Sequence, residues 1–196
     1  MRANIFIPQA RNTQTTTEDR RLCKPLRFAV VAAHAAACLL LAAGANVAHA
    51  DDVEKPGDFL GSAIQDGRAE IQSCKLALRT SSDTSVQAFA KRMIGDHESL
   101  DARIERLAQR KGYDLPTGIS VTQEATQAAL TPLTGHTFDK VFMEHNVSDH
   151  KDDIKHFSEQ AQQGSDPDVR ALAASAVPLL RKHLELAEQT RKKLSH

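Results

Sequence analysis

Hydrophobic residues recur every three or four positions through almost all of residues 56–193, which is the period of an amphipathic α-helix. Four long segments carry this pattern, and clusters of Ser, Asp, Pro and Gly separate them. We predict helices over about 56–79, from the Ser-Asp turn at 80–83 to 111, over 137–163, and from the Ser-Asp-Pro turn at 165–167 to 193. The stripe of the fourth helix passes through Leu172, Ala176, Leu179 and His183.

The region between the second and third long helices is rich in proline and glycine, and it is predicted to cross from one half of the domain to the other. A short helix is expected near 123–130. The segment 82–90 also echoes 165–173, which supports two similar halves. Two helical hairpins joined by a long crossover form a four-helix bundle of the ferritin-like connection type, so the predicted fold class is all-α.

The first 50 residues have the organisation of an export leader. Residues 1–27 contain six basic and two acidic residues, and residues 28–43 are apolar. Ala48-His49-Ala50 then forms a small-x-small site before Asp51. This order is typical of a secretory signal peptide. We therefore expect residues 1–50 to be removed after Ala50, and residues 51–196 to form one domain in the periplasm or at the outer membrane.

The net charge of zero combines two unlike pieces. Without residues 1–50 the chain has 19 Lys and Arg against 23 Asp and Glu, so the mature domain is mildly acidic. That balance argues against a nucleic-acid binder. Its single thiol, Cys74, excludes an internal disulfide, and its segments are too polar for a transmembrane span. The candidate partners are therefore an envelope protein or a second copy of the chain.

Each long helix places one ionisable residue in its apolar stripe: Glu70, His97, His150 and His183. At about 1.5 Å of rise per residue, all four lie roughly 18–26 Å from their hairpin turn. They are therefore predicted to meet at mid-height in the bundle. Asp96 and Asp149, each next to a histidine, are candidate outer or additional ligands.

One carboxylate and three imidazoles suit a zinc, iron or manganese ion, and we predict a transition-metal site of these residues. Met93 and Cys74 lie one turn from the set and would favour copper, but at helical spacing they are better explained as core residues. The alternative is a Glu–His hydrogen-bonded network without metal, because four polar side chains buried at one level can satisfy one another instead of binding an ion. No catalytic residue is predicted.

The remaining polar residues are assigned to the surface or to interfaces. His145 is expected at a helix interface, and His136, His156 and His196 at the surface. The run at 151–153 (Lys-Asp-Asp) is expected to form an ordinary solvated face.

The sequence resembles a family of secreted bacterial proteins with a domain of unknown function, placed in the ferritin-like superfamily and often labelled predicted outer membrane proteins. The resemblance covers about residues 58–193. It rests on these motifs: Phe59-Leu60, Ala69-Glu70, Phe89-Ala90-x-x-Met93-x-x-Asp96-His97, Phe138-Asp139, Asp149-His150, Ser165-Asp166-Pro167, Pro178 and His183-Leu184. It implies a ferritin-like bundle in the cell envelope and little about chemistry.

Ferritin-like di-iron proteins carry Glu-x-x-His on two helices. Here Ile94, Val147 and Leu180 stand three residues before the three histidines, so that motif is absent from these positions. A metal site would be histidine-rich instead.

Three functions are therefore open at the sequence level. The first is an exported bundle that binds a transition metal through its Glu/His cluster. The second is a structural or stress-associated envelope interaction module with a metal-free core, for which the crossover around 121–133 is the candidate surface. The third, less favoured, is a redox enzyme on a ferritin-like scaffold.

Overall fold

The computed structural model describes residues 53–195, and within that range the chain forms five α-helices. The bounds are α1 Pro56–Thr80, α2 Thr84–Lys111, α3 Val121–Leu130, α4 Gly135–Gln163 and α5 Pro167–Lys193. The long helices begin and end within two residues of their predicted bounds, and the short helix begins two residues earlier than predicted. The predicted leader at 1–50 and His196 lie outside the described residues.

Local side chains explain why the helices begin and end where they do. Asp83 caps α2 by accepting hydrogen bonds from the backbone N–H groups of Ser85 (2.8 Å) and Val86 (3.1 Å). Asp166 caps α5 in the same way, and Pro167 fills the first helical position, where proline is tolerated. Gly112 ends α2 with φ of 72°, a left-handed conformation that favours glycine.

The long helices form two antiparallel hairpins, α1–α2 and α4–α5, that pack against each other. Helix α2 lies against α5 and α1 lies against α4, while α3 rests across α1 and α4. The hairpin turns are at opposite ends of the bundle, because the first half of α1 and the second half of α4 share one apolar cluster. The crossover therefore returns along the bundle, as the ferritin-like connection requires.

The bundle confirms the predicted all-α class, with one local correction to the fourth stripe. Leu179 is only half-buried, and Leu180 takes its place in the core at 1 % exposure. The inward line of α5 steps by four, three and four residues, through Ala176, Leu180, His183 and Ala187. No helix within residues 53–195 has the length and apolar character needed to cross a bilayer.

Candidate metal centre

A polar layer divides the core of the bundle into two apolar clusters. Glu70, His97, His150 and His183 are 5 %, 3 %, 0 % and 1 % exposed. Along each helix, the polar residue follows side chains of one cluster and precedes side chains of the other. The mid-height meeting expected from the helical rise therefore occurs, and each of the four long helices contributes one side chain.

The four side chains are in direct contact. The ring centroids are 5.8 Å apart for His97 and His150, 5.2 Å for His97 and His183, and 5.4 Å for His150 and His183. One ring nitrogen from each histidine lies within 4.8 Å of the other two. Glu70 completes the group, with Oε2 3.1 Å from His97 Nδ1 and Oε1 3.5 Å from His150 Nδ1.

The protonation of His150 follows from its neighbour on α4. Its Nδ1 lies 2.8 Å from the backbone carbonyl oxygen of Asn146, one turn earlier, and a carbonyl oxygen only accepts hydrogen bonds. Nδ1 therefore carries the hydrogen. Burial lowers the pKa of His150 to about 4, so the ring is neutral and its Nε2 holds a lone pair. That Nε2 is buried and has no hydrogen-bond partner among the described residues.

Asp96 fixes the ring of His183 in the opposite tautomer. Nε2 of His183 donates to Asp96 Oδ2 at 2.9 Å, which leaves the lone pair on Nδ1. Partial burial acts to raise the pKa of Asp96, but hydrogen bonds from Arg92 and His183 outweigh it, so the pKa is low and the carboxylate is ionised. This carboxylate–histidine pairing orients the ring as an outer partner orients a metal-ligating histidine.

Glu70 and His97 are the least satisfied members of the layer. Neither carboxylate oxygen of Glu70 and neither ring nitrogen of His97 has an aligned hydrogen-bond partner within residues 53–195. Burial, reinforced by the charge of Asp153, raises the pKa of Glu70. Burial and the two neighbouring histidines lower the pKa of His97. Both groups are thus held away from their charged forms, a costly arrangement for buried polar side chains.

These observations fit a bound metal ion. Metal-ligating histidines are neutral, and their second nitrogen is held by a carboxylate or carbonyl oxygen, as in His150 and His183. Orphaned lone pairs on three imidazoles and one carboxylate supply the donors that zinc, iron, manganese or copper(II) accept.

The two sulfur-containing side chains near the layer belong to the apolar core. Cys74 and Met93 are fully buried in the apolar cluster toward the first hairpin turn, and Cys74 belongs to neither group of potential metal ligands in the described range. Burial raises the pKa of the Cys74 thiol, which keeps it protonated. Their explanation as core residues agrees with this placement.

Asp153 is the residue that the sequence interpretation missed. It was expected on a solvated face, but it is 9 % exposed, and a donor atom from each of Glu70, His150 and Asp153 lies within 4.8 Å of the other two. The physical reason is periodicity, because Asp153 follows His150 by three residues and shares its inward face. That spacing was visible in the sequence, although the adjacent charges at 151 and 152 masked it.

Asp149 does not take the role of Asp96. It lies 3.0 Å from His145 Nε2 on the same helix and lines a cavity outside the histidine layer. His145 is half-buried beside it. His136 is exposed as expected, whereas His156 is half-buried, with its Nε2 2.6 Å from Glu54 Oε2.

Asp101, one turn after His97, is a further buried carboxylate. It is 8 % exposed, and its Oδ1 has no partner among the residues described. The backbone of α1 approaches it closely, since a Cβ atom added to Gly67 would collide with Oδ1. Burial raises the pKa of Asp101 to about 7, although Arg68 opposes the shift.

We expect Asp101→Asn to stabilise the metal-free protein at pH 8 and to change little at pH 4. The folded-state pKa lies above the unfolded value of 3.8, so the wild type loses stability as pH rises between about 4 and 7. Solvent screening and the nearby charge of Arg68 reduce the effect, so the free energy of unfolding at pH 8 should rise by about 1–2 kcal/mol. Urea unfolding at both pH values measures it. The exposed Asp114→Asn is the control, and an equal gain at pH 4 would contradict the explanation.

The family model described as a domain of unknown function (DUF4142) matches residues 41–190. No curated protein matches the chain. A solved structure described as "CopM in the Cu(II)-bound form" is similar, with a TM-score of 0.61 and 14 % sequence identity, over 72 % of this chain and 98 % of that one. At this identity the likeness shows a common helical fold.

Proposed function

The chain belongs to the DUF4142 family, a domain of unknown function, and from its core we propose that it binds a transition-metal ion. The ligands in this proposal are Glu70, His97, His150 and His183, with Asp96 as the outer partner of His183. Asp149, the other outer candidate from the sequence, is replaced in the proposal by Asp153, which lies next to Glu70 and His150.

The observation that carries the proposal is the pairing pattern of His150 and His183. In each ring one nitrogen donates to an oxygen acceptor, and the other is buried without a partner within residues 53–195. A buried lone pair without a hydrogen-bond partner costs free energy. Packing alone therefore does not explain why two imidazole rings are oriented so that one nitrogen of each lacks a partner.

The donor set decides which ions to test. Imidazole suits zinc, copper and iron, and a carboxylate extends the range to manganese. The similar CopM structure is a Cu(II)-bound form, which adds copper(II) to the ions to be tested first. Copper(I), which prefers sulfur ligands, is disfavoured because the Cys74 thiol is held protonated and belongs to neither group of potential ligands in the described range.

Metal titration of the purified protein tests the proposal. Metal-free protein offered Zn²⁺, Cu²⁺, Mn²⁺ and Fe²⁺ separately is expected to retain one equivalent of at least one ion after gel filtration. Elemental analysis gives the stoichiometry, and calorimetry gives the affinity. If the protein remains metal-free with all four ions, the proposal is wrong.

The metal-free network remains the second candidate, because Glu70 and His97 lie 3.1 Å apart. In that case one proton shared between them would stabilise the layer. An interaction module has less support, since the exposed large hydrophobic residues in the described range are Val121 and Val141, on separate helices. The envelope location in this proposal rests on the leader predicted at 1–50.

A further inference from the structure

A cavity of about 240 Å³ lies between α1, α3 and α4, directly beside the polar layer. Its lining includes Thr122 and Asp152, which are exposed, and Glu70, which is buried. The cavity thus extends from the protein surface to the carboxylate that contacts His97 and His150.

Carboxylates dominate the lining of this cavity. Five of them belong to it, and no lysine or arginine of the described chain does. They are Asp66, Glu70, Asp149, Asp152 and Asp153. His145 also lines the cavity, with its Nε2 3.0 Å from Asp149, so the lining carries five acidic side chains and one histidine. Such an excess of carboxylates favours a bound cation.

Two further observations point to a ligand rather than to a solvated acidic surface. Glu70, 5 % exposed, lines the cavity with both oxygens unpartnered within residues 53–195. Glu70 also joins Asp153 and His150 in a second group of donor atoms within 4.8 Å of one another. His150 belongs to this group and to the three-histidine group, so it links the cavity to the polar layer.

The other approach to the histidines lacks this excess of carboxylates. A cavity of about 350 Å³ reaches His183 between α2 and α5, and it is lined by Arg92, Lys182 and Glu185. Arg92 forms an ion pair with Asp96, so positive and negative charges are balanced there. Of the two openings, the one beneath α3 therefore attracts cations more strongly.

Helix α3 roofs the acidic cavity and is fastened by side-chain hydrogen bonds. Gln123 Nε2 donates to Asp66 Oδ1 at 2.5 Å, and Gln127 Nε2 donates to the backbone oxygen of Ala69 at 2.9 Å. Most of its other side chains are exposed. The cavity opens to solvent beside Thr122, which is exposed and lines it. We call this opening the mouth of the cavity.

We propose that the acidic cavity beneath α3 is the entrance through which a hydrated divalent cation reaches the histidine cluster. The carboxylates hold the ion at the cavity, and Glu70 and His150 pass it to His97 and His183. This inference rests on the proposed metal binding and adds the route and the side chains that line it.

The test measures uptake of Co²⁺ by stopped-flow absorbance and its dissociation constant by titration. Thr122→Lys places a positive charge at the mouth, and Ala128→Lys makes the same charge change on an exposed position of α3 outside the cavity lining. We expect Thr122→Lys to slow association about tenfold at low ionic strength, with the dissociation constant rising less than about threefold. Asp152→Asn should slow association in the same direction, and high salt should shrink both effects.

The outcomes separate the two proposals. Co²⁺ that binds with an association rate insensitive to Thr122→Lys, or equally sensitive to Ala128→Lys, overturns the entrance and leaves the metal site standing. If the wild-type protein takes up none of Co²⁺, Zn²⁺, Cu²⁺, Mn²⁺ and Fe²⁺, the metal site fails and the entrance fails with it. Circular dichroism spectra matching the wild type confirm that the variants are folded.

Discussion

Alanine at position 150 is expected to weaken metal binding by at least about 100-fold, while alanine at position 136 leaves the affinity unchanged. His150 is fully buried and is the one residue common to both groups of donor atoms in the described range. Its Nε2 is available only because Nδ1 donates to the Asn146 carbonyl oxygen. His136 is exposed and far from this layer in sequence, so it controls for the loss of an imidazole.

Calorimetric titration with Zn²⁺ or Cu²⁺ measures the change in affinity. Because His150→Ala also leaves a cavity in the core, it will lower stability by a few kcal/mol at most, and His150→Gln, which keeps more of the volume, is the companion variant. Both variants should lose affinity. An affinity within about threefold of the wild type in either one would remove His150 from the site.

Glu70→Gln is expected to change stability and metal affinity in opposite directions. In the metal-free protein, the amide replaces a buried carboxyl group that lies near other acids, so the free energy of unfolding should rise by about 1–2 kcal/mol. The same replacement removes an anionic ligand, and the affinity should fall about 10- to 100-fold. Urea unfolding and metal titration at pH 8 provide the two numbers.

The exposed Glu144→Gln is the matched control and should shift stability by no more than about 0.5 kcal/mol. The sign of the stability change at position 70 separates the two candidate functions. If the core is a metal-free network, Glu70 donates or accepts an essential hydrogen bond to a histidine, and the Gln variant is destabilised. A destabilised Glu70→Gln that still binds metal as the wild type does would contradict the proposed site.

The helices could be predicted because their ends are encoded locally. Asp83 and Asp166 cap the helices that follow them, and Gly112 ends α2, through contacts with residues at most a few positions away. The polar layer could also be predicted, since the helical rise fixes the height of each stripe residue from its distance to the turn. The meeting of Glu70 with three histidines follows from those heights.

The outer contacts of the layer could not be predicted, because they depend on how neighbouring helices are rotated. Asp96 and Asp149 both precede a histidine in the sequence, yet only Asp96 accepts a hydrogen bond from a histidine on another helix. Asp149 instead faces the cavity beneath α3. The position of α3 could not be predicted either, since it is held on α1 by two glutamine side chains and few apolar contacts.

Each hairpin supplies half of the polar layer: α1–α2 brings Glu70 and His97, and α4–α5 brings His150 and His183. Each hairpin can form from contacts close in sequence, but the four side chains meet only after the hairpins dock. An ion bound there would add a further connection between two units that side-chain packing and polar contacts such as His183–Asp96 already hold together. It would act chiefly on the rate at which the docked hairpins separate, so the metal would confer kinetic persistence on the assembled bundle.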